Sequence, residues 1–253
     1  MLPRETNSIV LHWASRARAS GGARAFYVAG SIASGDYVVG RSDFDLVALV
    51  ESSLTSNQTA NLVREHRELV RREPLANKLH CVYVPIDEVD DASVEHLTWA
   101  HQELFRRPLS GIARAEVLRF GVTVFGPAPE QLLPPVSADA LKAAVRAELT
   151  GYWTAALGKP ELWLQDVYVD LGLLVLARAH AALEDGRLIT KREALTLLAM
   201  LGVPERLAAE VASRRYGTPP AITEDERRQR AAAVRAILSA GVTRLTGGRA
   251  HCG

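Results

Sequence analysis

Residues 30–50 read GSIASGDYVVGRSDFDLVALV, which joins a glycine-serine pair to a polar loop and then to a strongly apolar run. The apolar run is rich in aliphatic and β-branched residues, which is typical of a buried strand. Just upstream, Phe26–Val28 predicts another short strand that leads into Gly30-Ser31. The stretch therefore predicts two strands, with a glycine-serine turn after the first and two aspartates, Asp43 and Asp45, at the start of the second.

The spacing of the two aspartates predicts a site for a cation. Side chains alternate along a strand, so Asp43 and Asp45 point to one side while Phe44 points into the core. Neighbouring carboxylates raise each other's pKa unless a cation lies between them, and Mg²⁺ prefers carboxylate oxygens and nucleotide phosphates. Upstream, Gly30 lets the backbone approach a ligand, and Ser31 offers a hydroxyl group to a phosphate. The alternative interpretation is that the aspartates only cap a turn before a buried strand.

These features resemble a known family. The resemblance is to the nucleotidyltransferase superfamily that includes DNA polymerase β, whose signature is similar to Gly30-Ser31, the spacer and Ser42-Asp43-Phe44-Asp45. Within this superfamily, these residues resemble those of the aminoglycoside nucleotidyltransferase branch, which includes the streptomycin and spectinomycin adenylyltransferases. The resemblance implies an α/β nucleotidyltransferase domain, with a small mixed sheet and helices, followed by an all-α helical bundle domain.

The resemblance also implies a reaction and roles for single residues. It implies transfer of AMP from ATP to a hydroxyl group of an aminoglycoside-type antibiotic, with release of pyrophosphate. Asp43 and Asp45 would bind Mg²⁺, and Gly30, Ser31 and Ser42 would contact the phosphates of ATP.

The strand predicted at Leu79–Val84 departs from the family pattern. Where the family has a third carboxylate that takes the proton from the attacking hydroxyl, this chain has His80. A histidine titrates near neutrality and is chemically suited to accept a proton. Asp87 or Glu88, just past the strand, are alternative bases. If no base is present, the protein would be a nucleotide-binding regulatory protein without transfer activity; an adenylyltransferase acting on a protein side chain is a further alternative.

Pro134-Pro135 marks the predicted boundary between a domain of residues 1–136, which contains the predicted strands, and a helical domain of residues 137–253. In the first domain, residues 121–127 predict a further strand and residues 90–119 are predicted to be mostly helical. That prediction places His96, Trp99 and His101 on an amphipathic helix rather than in a metal site. In the second domain, five helices are predicted, starting near residues 138, 161, 191, 204 and 223.

Four charged residues of the helical domain are candidate binding residues. Arg178 lies in an apolar helix, where an unpaired guanidinium is costly, and Lys191 lies in the first turn of the next helix, where a cation is unfavourable unless it faces an anion. The resemblance assigns both to the ATP triphosphate, and an ion pair within the protein is the alternative. Asp166 and Asp170 are four residues apart, so they share a helix face that could bind a cationic substrate. A solvated helix face is the alternative there.

Composition limits the class of protein. The 253 residues carry a formal net charge of +1, so no general nucleic-acid or membrane surface is expected. The sequence shows neither a signal segment nor an apolar run long enough to span a bilayer. Its two cysteines, Cys81 and Cys252, do not indicate a disulfide framework. We therefore expect a cytoplasmic monomer whose partners are ATP and a small cationic, hydroxylated substrate.

Overall fold

The computed structural model describes residues 3–247. The chain divides into two compact units, Met1–Val136 and Ser137–Gly253. The first unit contains a six-stranded sheet, and the described part of the second unit is helical. Cys81 is a free, buried thiol, whereas Cys252 lies outside the described residues.

The first unit is a mixed sheet with helices packed on its two faces. Its strands are β1 (Ala23–Val28), β2 (Phe44–Val50), β3 (Leu79–Pro85), β4 (Glu95–Ala100), β5 (Glu103–Pro108) and β6 (Val122–Phe125). Its helices are α1 (Arg4–Gly21), α2 (Gly30–Ala33), α3 (Ser56–Arg72), α4 (Gly111–Phe120) and α5 (Pro129–Leu132). Residues of α1 and α3 belong to one apolar cluster, and residues of α4 and α5 belong to another.

The strands lie in the order β5-β4-β3-β2-β1-β6. Only the β2–β3 pair is parallel among the strand pairs of the described chain; the other neighbours are antiparallel. The parallel register places Asp45 directly beside His80. Because side chains of paired strands at the same register point to the same face, this pairing brings the two predicted site residues together.

Helix α3 carries a histidine into the core. The helix begins with a capping box, in which Thr55 and Gln58 bond each other's backbone N–H groups. The ring of His66 lies between two indoles, with centroid distances of 3.5 Å to Trp13 and 4.4 Å to Trp99. Its Nε2 lies 2.9 Å from the Tyr83 hydroxyl oxygen. Burial lowers the pKa of His66 well below 6.5, so the imidazole is neutral in the folded protein at neutral pH.

We expect His66 to make the protein less stable in mild acid. As the pH falls through the unfolded value of about 6.5, the unfolded chain binds a proton that the native state does not, so stability present above that pH is lost below it. His66→Gln removes this proton uptake. The stability advantage of the wild type over the variant should shrink by about 1 kcal/mol between pH 6.5 and pH 5.5, measured by urea unfolding. A constant difference over that range would contradict the assignment.

The prediction of a mostly helical segment at residues 90–119 is wrong for its first part. Residues 95–108 form the β4–β5 hairpin, and α4 begins only at Gly111. The two strands were not recognised because the turn between them contains no glycine. His101 and Gln102 form this turn, and both have positive φ values, 53° and 62°. Such a left-handed turn normally uses asparagine or glycine, so residues 101 and 102 carry no hairpin signal.

The second unit is a bundle of helices. Its helices are α6 (Ala138–Glu148), α7 (Thr154–Leu157), α8 (Asp166–Glu184), α9 (Lys191–Leu197), α10 (Glu205–Tyr216) and α11 (Glu224–Thr246). Thr190 and Thr223 cap α9 and α11 through capping boxes, which confirms both predicted caps. The segment predicted as one helix from about residue 161 is instead a 3-10 turn, Pro160–Leu164, followed by α8.

Helix α8 is the apolar centre of this bundle. A side chain at Gly172 would place its Cβ 2.8 Å from the ring of Trp163, which is fully buried, so glycine allows the close approach.

The mixed sheet of the first unit and the helices of the second confirm the predicted fold class. Within residues 3–247, no helix combines the length and the apolar character that crossing a membrane requires.

Candidate active site

Two partly exposed carboxylates lie at the N-terminal end of β2. Asp45 is the second residue of the strand and Asp43 immediately precedes it, with side-chain exposures of 44% and 39%. Phe44, between them, is fully buried. The aspartates therefore face away from the core, at the end of the strand nearest the glycine-serine segment.

Gly30 packs directly against Asp45. Its φ is +58°, and a Cβ atom at this position would lie 2.0 Å from the Asp45 Oδ2 atom. The neighbouring Ala29 N–H donates to the Asp45 backbone carbonyl at 2.7 Å. The segment from Gly30 forms the four-residue helix α2 rather than a plain turn. Glycine is thus required here by both the backbone conformation and the closeness of the carboxylate.

The two predicted phosphate-binding serines lie in the same loop region. Ser31 is half-buried, and its carbonyl accepts a hydrogen bond from the Asp36 N–H at 2.8 Å. Ser42 is buried, and its Oγ accepts from the Val38 N–H at 3.0 Å. The hydroxyl of Ser42 therefore fixes the loop before β2, and its contact with a nucleotide stays a prediction.

His80 lies beside the aspartates on β3. Its Nδ1 is 3.9 Å from the Asp45 Oδ1. Burial is the largest cause that lowers the pKa of His80 to about 4, although the Asp43 carboxylate acts in the opposite direction. The imidazole is therefore neutral at neutral pH and has a free lone pair.

The alternative bases lie elsewhere. Asp87 and Glu88 follow the C-terminal end of β3, whereas His80 is near its N-terminal end, so they are separated by roughly 15 to 20 Å along the strand direction. Glu88 instead faces His96, with Oε2 3.5 Å from the ring Nδ1. The geometry favours His80 over both carboxylates as a group near Asp43 and Asp45.

Three residues near the site were missed by sequence reasoning. The Lys78 Nζ lies 3.7 Å from the Asp43 Oδ1, and the ring of His101 meets the ring of His80 at a centroid distance of 4.7 Å. Arg107 is close enough to His80 to lower its pKa. Lys78 could have been located from the parallel register of β2 and β3. Lys78 immediately precedes β3 and Asp43 immediately precedes β2, so the two residues are neighbours. His101 and Arg107 were hidden by the helical interpretation of the hairpin.

The donor set at Asp43 and Asp45 fits Mg²⁺ bound together with a nucleotide. The two carboxylates are hard oxygen ligands, and a lysine ammonium already lies beside Asp43, which shows that this position attracts positive charge. Among residues 3–247, no group of three or more His, Cys, Asp or Glu side chains is arranged to hold a metal ion. Mg²⁺ here would therefore take its remaining ligands from phosphates and water.

Arg178 and Lys191 lie at the α8–α9 connection of the second unit. The Arg178 Nε donates to the Ile189 carbonyl at 3.0 Å, so the guanidinium holds the segment that leads into α9. Lys191 is the first residue of α9 and follows its cap, Thr190. The contact of both cations with a triphosphate stays a prediction.

Asp166 and Asp170, the predicted substrate carboxylates, are paired with arginines of the same unit. Asp170 receives three hydrogen bonds of 2.7 to 3.0 Å from Arg214, and Asp166 accepts one of 2.5 Å from Arg230. Burial raises the pKa of Asp170, and the hydrogen bonds and charge of Arg214 oppose the shift. A cationic substrate would therefore meet carboxylates that arginines already neutralise, and the substrate role of both stays a prediction.

The ion pair predicts a stability effect for Asp170→Asn. The Arg214 side chain is only 8% exposed, so removing the Asp170 charge takes three short charged hydrogen bonds from a buried guanidinium, which keeps the longer 3.5 Å contact with Glu210. We expect a loss of about 2 kcal/mol in the free energy of unfolding, measured by urea denaturation. Asp225→Asn, which removes the carboxylate of an exposed pair with Arg228, is the matched control and should cost much less. Equal losses in the two variants would show that the buried pair is not a stabilising contact.

The first unit is a mixed sheet in which Gly30 packs on Asp45, and the second unit is helical. This fold is that of a solved adenyltransferase. The crystal structure of spectinomycin adenyltransferase AAD(9) from Enterococcus faecialis, with ATP and spectinomycin, matches this chain with a TM-score of 0.68 and 16% sequence identity. The match covers 93% of this chain and 98% of that one, which confirms the expected fold. Neither a family model nor a curated protein matches the sequence.

Proposed function

We propose that the protein is a nucleotidyltransferase that transfers AMP from ATP to a hydroxyl group of a small cationic molecule, of the aminoglycoside type, and releases pyrophosphate. The observation that carries the proposal is the Asp43–Asp45 pair at the start of β2, with Asp45 packed against Gly30. The likeness in fold to an adenyltransferase whose structure contains ATP and spectinomycin supports it.

In the proposed reaction, the substrate hydroxyl oxygen attacks the α-phosphorus of ATP. A new P–O bond forms as the bond from the α-phosphorus to the bridging oxygen breaks, and the electron pair leaves with pyrophosphate. Asp43 and Asp45 would hold Mg²⁺, and the ion would supply neutralisation of phosphate charge. Gly30 and Ser31 lie against the phosphates, and Ser42 fixes the loop beside them.

His80 accepts the hydroxyl proton in this proposal. Its neutral imidazole lies 3.9 Å from the Asp45 carboxylate, so it is within the aspartate site and can accept a proton from a hydroxyl bound there. Because burial depresses its pKa to about 4, the protonated form is about as acidic as a carboxylic acid and returns the proton to water at neutral pH. Arg178 and Lys191 are assigned, by the family resemblance, to the charge of the departing pyrophosphate.

The test is incubation of the full chain with ATP labelled at the α-phosphate, Mg²⁺ and a panel of aminoglycosides and spectinomycin. The proposal expects label on one of the drugs, together with equal amounts of pyrophosphate. Label on a protein side chain would instead identify a protein adenylyltransferase. ATP binding without any product would identify the second candidate below.

The second candidate is a regulatory protein that binds ATP without transferring it. It is favoured by one observation, the replacement of a carboxylate by a histidine that burial makes a weak base. If it is correct, calorimetry will show ATP–Mg²⁺ binding that depends on Asp43 and Asp45, while every acceptor in the panel remains unlabelled.

A further inference from the structure

The outer side of α3 forms one wall of a groove that the proposed reaction does not use. The opposite wall is the β4–β5 hairpin, and the volume of the groove is about 740 Å³. We call it the α3 groove. The residues that line this groove include Val63, Arg64, Arg67, Val70, Arg71 and Trp99.

The α3 groove uses a stripe of α3 in which the arginines are exposed and the two valines are partly buried against the core. Residues 63, 64, 67, 70 and 71 are spaced three or four apart, so they share one face of the helix. The buried face of α3 uses a different set, Leu62, His66 and Leu69. The stripe is about 12 Å long, since eight residues each rise about 1.5 Å. The helix therefore presents a second, separate surface of ordered side chains.

The charged side chains of this surface are all positive. Arg64, Arg67 and Arg71 are exposed, and no carboxylate lines the described groove. Within residues 3–247 none of the three forms an ion pair: Arg64 bonds the Asn61 amide oxygen and the Arg71 Nε bonds the Arg67 carbonyl. Glu68 of the same helix is already paired with Arg72. The groove thus presents three guanidinium groups to solvent.

The groove also has a small apolar component. Val63 and Val70 lie between the arginines and are partly buried against the core cluster, and the buried indole of Trp99 lies beneath the groove on the sheet side. The Trp99 Nε1 is buried and has no hydrogen-bond partner among the described residues. An occupant that suits these walls would carry acceptor groups and apolar side chains together.

We propose that the α3 groove binds a short acidic segment of a partner protein. Guanidinium groups bind carboxylates with paired hydrogen bonds, and the exposed parts of Val63 and Val70 offer contact to an apolar side chain of the segment. An extended segment of about four residues spans the 12 Å stripe. A nucleic acid is disfavoured, because the chain has a net charge of only +1 and the basic residues form one short stripe. This proposal does not depend on the proposed enzymatic function.

The experiment measures binding of a fluorescein-labelled peptide, Glu-Leu-Glu-Leu-Glu, to the full chain by fluorescence polarisation. We expect binding that weakens at least about tenfold in Arg67→Glu with Arg71→Glu, and that weakens as salt rises from about 50 to about 500 mM. The matched control is Lys142→Glu with Arg146→Glu, which changes the net charge equally on α6 and should leave binding unchanged. Thermal unfolding establishes that both double variants are folded.

Four results would overturn the proposal. The first is no binding of the acidic peptide at about 1 mM. The second is equal weakening in the α3 and α6 variants, which would mean that only net charge matters. The third is tighter binding of single-stranded oligothymidylate of matched charge, which would identify a nucleic-acid surface instead. Binding of the Gln-Leu-Gln-Leu-Gln peptide as tightly as the acidic one would also contradict the role of the arginines.

Discussion

Asp45→Asn should reduce adenylyl transfer by at least about a thousandfold, which corresponds to about 4 kcal/mol of lost transition-state stabilisation. The change keeps the size of the side chain but removes its negative charge. The folded state should be little affected, because the side chain is 44% exposed. The measurement is the initial rate of pyrophosphate release with saturating ATP, Mg²⁺ and the best acceptor from the panel.

Asp87→Asn is the control for this prediction. Asp87 is exposed and follows the opposite end of β3 from His80, so its loss should leave the rate unchanged. The stronger test removes both aspartates, Asp43→Ala with Asp45→Ala. If that protein still bound ATP–Mg²⁺ and turned over at the wild-type rate, the metal assignment would be wrong.

Gly30→Ala is expected to reduce both stability and transfer, by about 2 kcal/mol and about a hundredfold. The added Cβ would meet the Asp45 carboxylate at 2.0 Å, so either the glycine-serine segment or the carboxylate must move. Either movement separates the predicted phosphate contacts from the aspartate pair. Urea unfolding and initial rates measure the two effects.

Gly40→Ala is a control that has the backbone strain of Gly30→Ala without the contact with a carboxylate. Gly40 also has a positive φ, +71°, but its Cβ would have nothing within 4 Å. It should therefore lose only the strain energy, about 1 kcal/mol, and keep the wild-type rate. A second change, Asp45→Ala, should return stability to the Gly30→Ala protein without restoring activity. If Gly30→Ala and Gly40→Ala behaved alike, close packing on Asp45 would not be the cause.

Local sequence patterns predicted the parts of the site that depend on local structure. The alternation around Phe44 and the apolar run after it were enough to predict β2 with its two aspartates. Placing His80 beside Asp45 also required the register of a parallel pair, which no short pattern contains. The sequence suggested the position only through the family resemblance.

The remaining differences have physical causes. The β4–β5 hairpin was missed because His101 and Gln102 make a turn that these residue types rarely adopt. The pairing of Asp166 with Arg230 joins residues 64 positions apart, so the helix face that looked like a cation-binding surface could not be recognised as occupied. Contacts of this separation are fixed by the packing of the bundle and not by helix periodicity.

The turn at His101 has a consequence for engineering. Two consecutive left-handed residues without glycine hold the hairpin in a costly conformation, so His101→Asn with Gln102→Gly should raise the melting temperature, equivalent to about 1 kcal/mol of stability. The same change removes the ring that contacts His80. The turn that costs stability is therefore also the one that places an imidazole against His80, so thermal unfolding and the initial rate of the same double variant should be measured together.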